Sequence, residues 1–347
     1  MLTLAAAVWA GLVRIGWVLP TTGGLAASHG PLMVSGFLGT LIGLERAVAL
    51  AALGRRWAYI APALSALGAL ASLLGLSVGP LLLTLGSIAL IAVFVEIIRR
   101  QPVAFTYTMT VGVVLWAVGN VLWLAGWPIF RVVWWWAGYL ILTIAGERLE
   151  LARLTRFTRE ALTAFFAIVG LYGVGLLLLS FTPLTDIGTR VVGAACLLLA
   201  IWLLRYDLAR KTIRQPGLTR FIAQNLLLGY VWLVVSGLLT LAWGQQAAGL
   251  RYDAMLHTLF LGFVFGMIFG HAPVIFPAVL GRPLNYSPVF YGHMVILHVA
   301  LLLRVIGDVA GRQDLRQWGG MLNGVALLIF LIVMAASLRR SQVRLAR

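Results

Sequence analysis

The chain has 347 residues, of which 62% are hydrophobic and only 10% are charged, and its mean hydropathy is +1.00. Soluble globular chains carry about a quarter charged residues, so this composition excludes an ordinary soluble domain and predicts lipid as the solvent. The formal net charge of +16 would also suit a nucleic-acid-binding protein. However, the basic residues lie in short loops between apolar runs, which is typical of membrane topology and predicts no nucleic-acid partner.

Two features limit the chemistry and processing of the chain. The single cysteine, Cys196, lies in an apolar run, which excludes an intrachain disulfide and a cysteine-based metal motif. The N-terminal apolar stretch has no basic leading region, is interrupted by Arg14 and is not followed by a clear cleavage site. It is therefore predicted to be a retained first helix rather than a signal peptide.

Twelve apolar runs follow one another, each about as long as a helix that crosses the hydrocarbon core. Pro and Gly mark most of the breaks between them, and no linker is long enough to separate soluble domains. The sequence therefore predicts an all-α fold: a polytopic transmembrane helix bundle forming a single integral membrane domain over residues 1–347. The predicted spans are 2–20, 29–52, 57–77, 79–98, 103–126, 129–148, 160–182, 186–206, 220–243, 253–277, 287–310 and 316–338.

The basic residues also predict the orientation of the spans. Eighteen of them follow even-numbered spans or lie in the C-terminal tail, whereas five follow odd-numbered spans. Because cytoplasmic loops are enriched in Lys and Arg, both termini are predicted to be cytoplasmic, in the bacterial inner membrane. The eighteen basic residues on the predicted cytoplasmic side are Arg55, Arg56, Arg99, Arg100, Arg148, Arg153, Arg156, Arg159, Arg205, Arg210, Lys211, Arg214, Arg220, Arg282, Arg339, Arg340, Arg344 and Arg347.

The run Trp134–Trp136 lies near an outer helix end and is predicted to form part of an interfacial aromatic belt.

Five histidines are the candidate metal ligands: His29, His257, His271, His293 and His298. His257 and His271 are 14 residues apart, which on an α-helix places them on nearly the same face and about 21 Å apart along the axis. The next span runs antiparallel, so His293 is predicted at the depth of His271, with His298 about 7.5 Å further along. For any single histidine, the alternative is a neutral imidazole hydrogen-bonded to a neighbouring helix.

These depths predict an outer pair (His29 with His257), an inner pair (His271 with His293) and His298 between them. Two facing imidazoles are the ligands of a six-coordinate haem iron, and several imidazoles around one point suit copper. The sequence therefore predicts one or two haem b groups, with copper as a second metal. The predicted metal-binding core comprises residues 29–46 and 253–306.

Charged and hydroxyl side chains near these histidines are candidates for supporting roles. Arg14 and Arg304 lie inside apolar runs and could each pair with a haem propionate, but Arg304 could equally form a helical salt bridge to Asp308. Glu45 and Tyr291 are candidate catalytic residues in a proton relay. Arg46, Glu147, Arg148 and Glu150 are further candidates for the relay, but these residues and Glu45 could alternatively form snorkelling ion pairs that anchor helix ends. Tyr286, like Tyr291, could donate protons or hydrogen bonds beside the inner pair, although tyrosine is also common near a membrane interface.

Three sequence segments, LHTLFLGFVFGM, LGRPLNYSP and LLLRV, lie within residues 256–306. They resemble the run of the NnrS family from an LH-x-L-x-x-G-x-x-x-x-M segment through GRPL to a leucine-rich helix. HGPLMVSGFLG at 29–39 is similar to that family's His-led second element. Members are haem- and copper-containing bacterial membrane proteins linked to nitric oxide metabolism, so the resemblance implies metal ligation by His257 and His29.

The sequence also departs from this family in several places. The family's H-x-H-E pattern is reduced to His29, and Val279 and Leu280 stand near the position of a family histidine. The remaining three histidines are additional to the family pattern. We therefore expect a divergent relative whose ligands have moved.

The leading functional prediction is a haem-binding, or haem–copper, membrane protein that acts on nitric oxide or a related diatomic gas. It would work as a nitric oxide reductase-type oxidoreductase or in nitric oxide tolerance, with a quinol or a cytochrome as electron donor. One alternative is an electron-transfer cytochrome b or quinol oxidoreductase, which would hold two low-spin haems without copper. Another is a non-redox transporter, although transport sites usually show broken helices in corresponding positions of two halves.

Overall fold

A computed structural model of the chain describes residues 1–21, 24–152 and 157–345. Within these ranges every regular element is helical, which confirms the predicted all-α class. Arg153, Arg156 and Arg347, which contribute to the predicted charge bias, lie outside the described residues.

Twelve helices of 13 or more residues occur in the described ranges, and their positions match the twelve predicted segments. Each consists of an apolar run bounded by Gly, Pro or charged residues, and an apolar run satisfies its backbone hydrogen bonds internally by becoming helical. The helices are α1 (Leu2–Arg14), α2 (Ala26–Ala51), α3 (Ile60–Leu73), α4 (Gly79–Arg100), α5 (Ala104–Leu124), α6 (Ile129–Ala152), α7 (Arg159–Ser180), α8 (Thr185–Tyr206), α9 (Leu218–Trp243), α10 (Leu250–Leu280), α11 (Phe290–Ala310) and α12 (Gln313–Leu345).

Ten of these helices in the described ranges are long and apolar enough to cross a membrane, two fewer than the predicted twelve spans. The other two, α1 and α3, have 13 and 14 residues, whereas about 20 residues cross a bilayer core. α1 ends at Arg14 and is followed by Gly16 with a positive φ. The predicted run 57–77 starts instead with a 3₁₀ turn, Arg56–Tyr59.

The chain divides into two compact units, Met1–Glu150 and Leu151–Arg347. In the first unit α2 packs against α1 and α3, α3 against α4, and α4 against α5. In the second unit α7 packs against α8, α8 against α9, α9 against α10, and α11 against α12. The two segments of the predicted metal-binding core fall in different units, residues 29–46 in the first and 253–306 in the second.

Two of the helices contain a π-helical segment. Leu32–Leu38 in α2 and Thr258–Phe265 in α10 are π-helical, and each follows closely after a candidate histidine, His29 and His257 respectively. A π-helix bonds residue i to i+5, so its turns are wider and each residue advances the helix by less than in an α-helix. The common face predicted for His257 and His271 assumed unbroken α-helical spacing, and the π segment between them removes that shared phase.

A buried polar network lies at the centre of the first unit. Oδ1 of Asn120 in α5 accepts hydrogen bonds from the hydroxyl of Ser35 at 2.8 Å and from the indole N–H of Trp136 at 2.9 Å. The indole N–H of Trp116 donates to the Ser35 oxygen at 3.0 Å. These four side chains are fully buried, so α2, α5 and α6 are held together through one amide oxygen.

The predicted aromatic belt at Trp134–Trp136 is wrong. All three indoles are buried inside the first unit, and the ring of Trp136 packs edge-on against that of Trp123. α6 is the most enclosed of the candidate spans in the described ranges, because 83% of its most apolar stretch is buried. Its tryptophans therefore serve the interior of the unit rather than a lipid headgroup layer.

Candidate functional site

The candidate site of the second unit is a buried cluster of charges, the Asp253 cluster, formed by Asp253, His257, Arg304, Asp308 and Arg316. Asp253 lies at the start of α10, and Arg304 near the end of α11 faces it. Nε of Arg304 donates to Oδ2 of Asp253 at 2.7 Å, and Nη2 donates to Oδ1 at 2.9 Å. Both side chains are buried, at 6% and 7% exposure. This is the bidentate geometry in which arginine binds a carboxylate most strongly.

Arg316 at the start of α12 connects this ion pair to a second carboxylate. Its guanidinium lies 3.4 Å from Oδ1 of Asp253 and 3.0 Å from Oδ1 of Asp308. Asp308 is in α11, one turn beyond Arg304. Two arginines and two aspartates therefore balance their charges inside the unit, as buried ions must.

The geometry of Arg304 differs from both roles considered for it in the sequence. Its guanidinium forms the bidentate pair with Asp253 of the neighbouring helix, while Asp308 pairs with Arg316. The predicted helical salt bridge to Asp308 is therefore replaced by an interhelical one. Since two of its N–H groups already hold Asp253, Arg304 is poorly suited to anchor a propionate.

The other predicted propionate anchor, Arg14, is exposed at the end of α1. One of its N–H groups donates to the carbonyl oxygen of Ala26 at 3.4 Å. The predicted pairing of Arg14 with a haem propionate stays a prediction.

His257 lies one turn after Asp253 and is held by it. Nδ1 of His257 is 2.9 Å from the backbone oxygen of Asp253 and 3.4 Å from its carboxylate. A carbonyl oxygen only accepts hydrogen bonds, so Nδ1 carries the proton and the lone pair lies on Nε2. Metal-binding histidines generally show this arrangement, in which the ring nitrogen away from the metal donates to a carbonyl or carboxylate.

His271 and His29 have the same tautomer. Nδ1 of His271 donates to the carbonyl oxygen of Met267 at 2.7 Å, and Nδ1 of His29 donates to that of Ala7 at 2.7 Å. The His29 ring also lies directly over Gly11 of α1, where a Cβ atom would come within 2.9 Å of it. In all three histidines the lone pair on Nε2 is the one that a metal or a proton would use.

His298 has the opposite tautomer. The indole N–H of Trp232 in α9 donates to Nδ1 of His298 at 3.0 Å, so the imidazole proton lies on Nε2. Gly262 leaves room for the Trp232 side chain, and the His298 ring faces Gly266. His298 could ligate a metal through Nε2 only by moving its proton to Nδ1 and giving up the bond from Trp232.

His293 is completely buried in a cage of phenyl rings. Its ring centroid is 4.8 Å from that of Phe269, 5.4 Å from Phe330, and 6.0 Å from both Phe221 and Phe290. Neither ring nitrogen has a hydrogen-bond partner among the described residues. Such packing leaves little space for a porphyrin beside this imidazole.

The two side chains of the predicted inner pair, His271 and His293, point in different directions. His293 packs against Phe269, which is two residues before His271 in α10. Two residues correspond to about 200° around an α-helix, so His271 projects from the side of α10 opposite Phe269. The predicted outer pair, His29 and His257, belongs to different units and stays a prediction.

The predicted relay residues occupy two places. In the second unit Tyr286 and Tyr291 both pack against Phe221, beside the cage of His293. Burial and a hydrogen bond with the Tyr291 hydroxyl raise the pKa of Tyr286 to about 12, so it is a hydrogen-bond donor at neutral pH. In the first unit Arg46 of α2 pairs with Glu147 of α6 and lies 3.8 Å from Glu45.

The metal-binding capacity of the described residues has a clear limit. No group of three or more His, Cys, Asp or Glu side chains in them is close enough together to hold a metal ion. A copper site made entirely of protein ligands needs several such groups around one point. A haem needs only one or two imidazoles, because the porphyrin supplies four nitrogen ligands.

Several members of the site were not identified from the sequence. Asp253 and Arg316 complete the charged cluster, and Trp232 sets the tautomer of His298. Asp253 could have been found from the Asp-x-x-x-His spacing, because residues four apart share a helix face. The partnerships of Arg316 and Trp232 join different helices and have no local sequence signal.

Comparison with family models assigns the chain to a family. The family model described as "Domain of unknown function (DUF8744)" matches residues 1–339. No curated protein matches the chain.

Proposed function

The chain belongs to the DUF8744 family, and we propose its function from the chemistry of its own residues. It is an integral protein of the bacterial cytoplasmic membrane that holds haem through imidazole ligands and acts on nitric oxide or a related diatomic gas. Ten apolar helices, or twelve if α1 and α3 also cross, support the membrane assignment. Either number is even, so both termini lie on the same side, and the basic loops make that side cytoplasmic.

The observation that carries the proposal is the support given to His257. The backbone carbonyl oxygen of Asp253 accepts a hydrogen bond from the Nδ1–H group of His257. Arg304 holds the Asp253 carboxylate in a bidentate pair. This arrangement orients the ring, directs the Nε2 lone pair away from α10 and increases the basicity of the ligand. The π segment that begins at Thr258 adds support, because π-helical segments are frequent at functional sites.

The residues present fit haem better than copper. His257, His271 and His29 each have the tautomer that leaves Nε2 as the ligand atom. The absence of a three-ligand cluster among the described residues favours a metal whose other ligands come from a macrocycle. A bound haem would supply an iron that binds the gas and exchanges electrons with a quinol or cytochrome donor.

The remaining residues would position this ligand and supply protons. Asp253 and Arg304 would hold the His257 ring, and Arg316 would hold the two carboxylates of Asp253 and Asp308 in place beside it. Glu45 and Tyr291 remain the proposed proton relay residues, one in each unit. Copper remains a proposal from the NnrS resemblance alone.

The proposal predicts a specific loss of the haem spectrum. Purified wild-type protein should show a Soret band that shifts on reduction, and His257→Gly should remove most of it because the iron loses its protein ligand. Adding free imidazole should restore part of the band, since the small ligand enters the cavity left by the side chain. Reduced-minus-oxidised absorption spectra and iron analysis are the measurements.

His298→Gln is the matched control for this experiment. Its imidazole is also partly buried in the second unit, but its Nε2 carries the proton because Nδ1 accepts from Trp232, so its loss should leave the Soret band unchanged. Wild-type protein with no Soret band and with neither iron nor copper would refute the proposal. An unchanged spectrum in His257→Gly would remove His257 from the ligand set.

A second candidate, an electron-transfer cytochrome b, is favoured by a separate observation. His257 lies in the first half of α10 and His271 in the second half. In each, the Nδ1–H group donates a hydrogen bond to the carbonyl oxygen four residues earlier. Such an arrangement suits two haems, one towards each side of the membrane. Two low-spin haems per chain, no copper and no spectral response to nitric oxide would favour the cytochrome over gas chemistry.

A further inference from the structure

A row of buried polar side chains runs along α6 in the first unit. Trp135, Tyr139, Thr143 and Glu147 follow one another at four-residue spacing, and we name them the α6 stripe. The indole N–H of Trp135 and the hydroxyls of Tyr139 and Thr143 are buried, and they have no hydrogen-bond partner within the described ranges. Glu147 ends the stripe at its ion pair with Arg46 of α2.

Other buried hydroxyls in the described residues also have no partner, as in Ser65 and Thr240, so the stripe is distinguished by three such groups in succession on one helix. Most buried polar atoms in proteins have a hydrogen-bond partner, so three successive exceptions on one helix face require an explanation. The Thr143 hydroxyl makes no bond to the backbone oxygen four residues earlier. Among the other helical threonines Thr240 is also without such a bond, whereas the hydroxyls that do donate to that oxygen are those of Thr40, Thr84, Thr108, Thr110, Thr189 and Thr258.

The neighbouring tryptophans provide an internal comparison. The indole N–H of Trp136 donates to Asn120, and that of Trp116 donates to Ser35. The ring of Tyr139 stacks on that of Trp116 at a centroid distance of 4.9 Å, but its hydroxyl has no partner among the described residues. Tyr139 lies about two helical turns before Glu147, so the stripe leads from this hydroxyl to the Arg46–Glu147 ion pair.

The spacing of the stripe suits bridging water molecules. Residues four apart on an α-helix are separated by about 6 Å along the axis, which is roughly twice an O–H···O hydrogen-bond distance. One water between consecutive stripe residues would therefore satisfy both neighbours, and buried waters typically bind to such otherwise unpaired groups. From Trp135 to Glu147 the stripe extends about 18 Å along the helix axis.

We propose that the α6 stripe holds a file of internal water that carries protons between the Trp135 level and the Arg46–Glu147 ion pair. The Tyr139 and Thr143 hydroxyls can each donate and accept a hydrogen bond, as a proton relay requires, whereas the Trp135 indole only donates. Each hop breaks one O–H bond on the donor and forms one on the acceptor. The number of O–H bonds in the file is therefore unchanged when a proton has moved from one end of the stripe to the other. The proposal does not depend on haem in the second unit.

Water in the file is tested by hydroxyl-radical footprinting of the purified full-length protein. Radicals generated from bound water oxidise the aromatic rings beside it, and mass spectrometry gives the rate at each residue. Trp135 and Tyr139 should be oxidised several-fold faster than Trp136 and Trp116, whose indole N–H groups are bonded to protein. Equal rates at Trp135 and Trp136 would overturn the water file.

Proton movement is tested by reconstituting the protein in lipid vesicles and imposing a potassium diffusion potential with valinomycin. An internal pH dye should report proton uptake several-fold above protein-free vesicles, and Tyr139→Phe or Thr143→Val should reduce it severalfold. Thr108→Val is the matched control, because Thr108 is equally buried but bonds to its own helix. Uptake equal to protein-free vesicles, despite fast oxidation of Trp135, would overturn the proton route.

Discussion

Replacing Arg304 with methionine is expected to lower the free energy of unfolding by about 3–5 kcal/mol, the usual cost of leaving a buried charge without its partner. The Asp253 carboxylate would lose two short hydrogen bonds and keep the two longer contacts, each of 3.4 Å, to Arg316 and to Nδ1 of His257. Methionine preserves most of the side-chain volume, so the effect comes from the charge. Titration of the detergent-purified protein with sodium dodecyl sulfate, followed by circular dichroism, measures the change.

Two further variants make this measurement specific. Asp253→Asn combined with Arg304→Met removes both charges and should recover part of the loss, because the uncompensated carboxylate is gone. Arg312→Met is the control: it breaks a similar two-bonded pair with Asp314 that is exposed, and exposed pairs contribute little. A loss for Arg304→Met no larger than that for Arg312→Met would contradict the importance assigned to the buried pair.

Replacing Asn120 with leucine is expected to lower the free energy of unfolding by about 2–6 kcal/mol, because two buried donors would each lose an acceptor at roughly 1–3 kcal/mol. The donors are the Ser35 hydroxyl and the Trp136 indole N–H. Leucine has the same branched shape as asparagine and a larger volume, so the loss does not come from a cavity. The same unfolding titration applies, and near-ultraviolet circular dichroism would report the changed surroundings of Trp136.

Ser87→Ala is the control for Asn120→Leu. Ser87 is also completely buried in the first unit, but its hydroxyl donates only to the backbone oxygen of Thr84. Removing it leaves no orphaned donor, so stability should change far less. If both variants lost the same stability, the network around Asn120 would not be what joins α2, α5 and α6.

The helical segments were predictable because each needs only local information. An apolar run of about twenty residues satisfies its own backbone hydrogen bonds as a helix, and Gly or Pro at its ends marks where it stops. The shortening of α1 was less predictable, because the positive φ of Gly16 ends the helix inside an apolar run. The His293 ring lies against that of Phe269, two residues before His271, and the depths of the histidines in a membrane stay a prediction.

The direction in which each candidate side chain points was not predictable. A π-helical segment after His257 changes the helical phase on which the predicted common face with His271 depended. The sequence of Trp134–Trp136 was equally consistent with a membrane interface and with a buried core, and only packing decided for the core. The tautomer of His298 depends on Trp232, which is 66 residues away in sequence.

The sequence by itself determined the solvent-avoiding, all-helical character of this protein and the order of its helices, because hydropathy and backbone hydrogen bonding act within each segment. It also predicted the relative levels of the histidines, since these are counted along each helix. Only the tertiary structure decided which groups meet: Arg304 with Asp253, Trp232 with His298, and Arg46 with Glu147. These pairings depend on how neighbouring helices are rotated against one another, and that rotation results from packing of side chains far apart in the sequence.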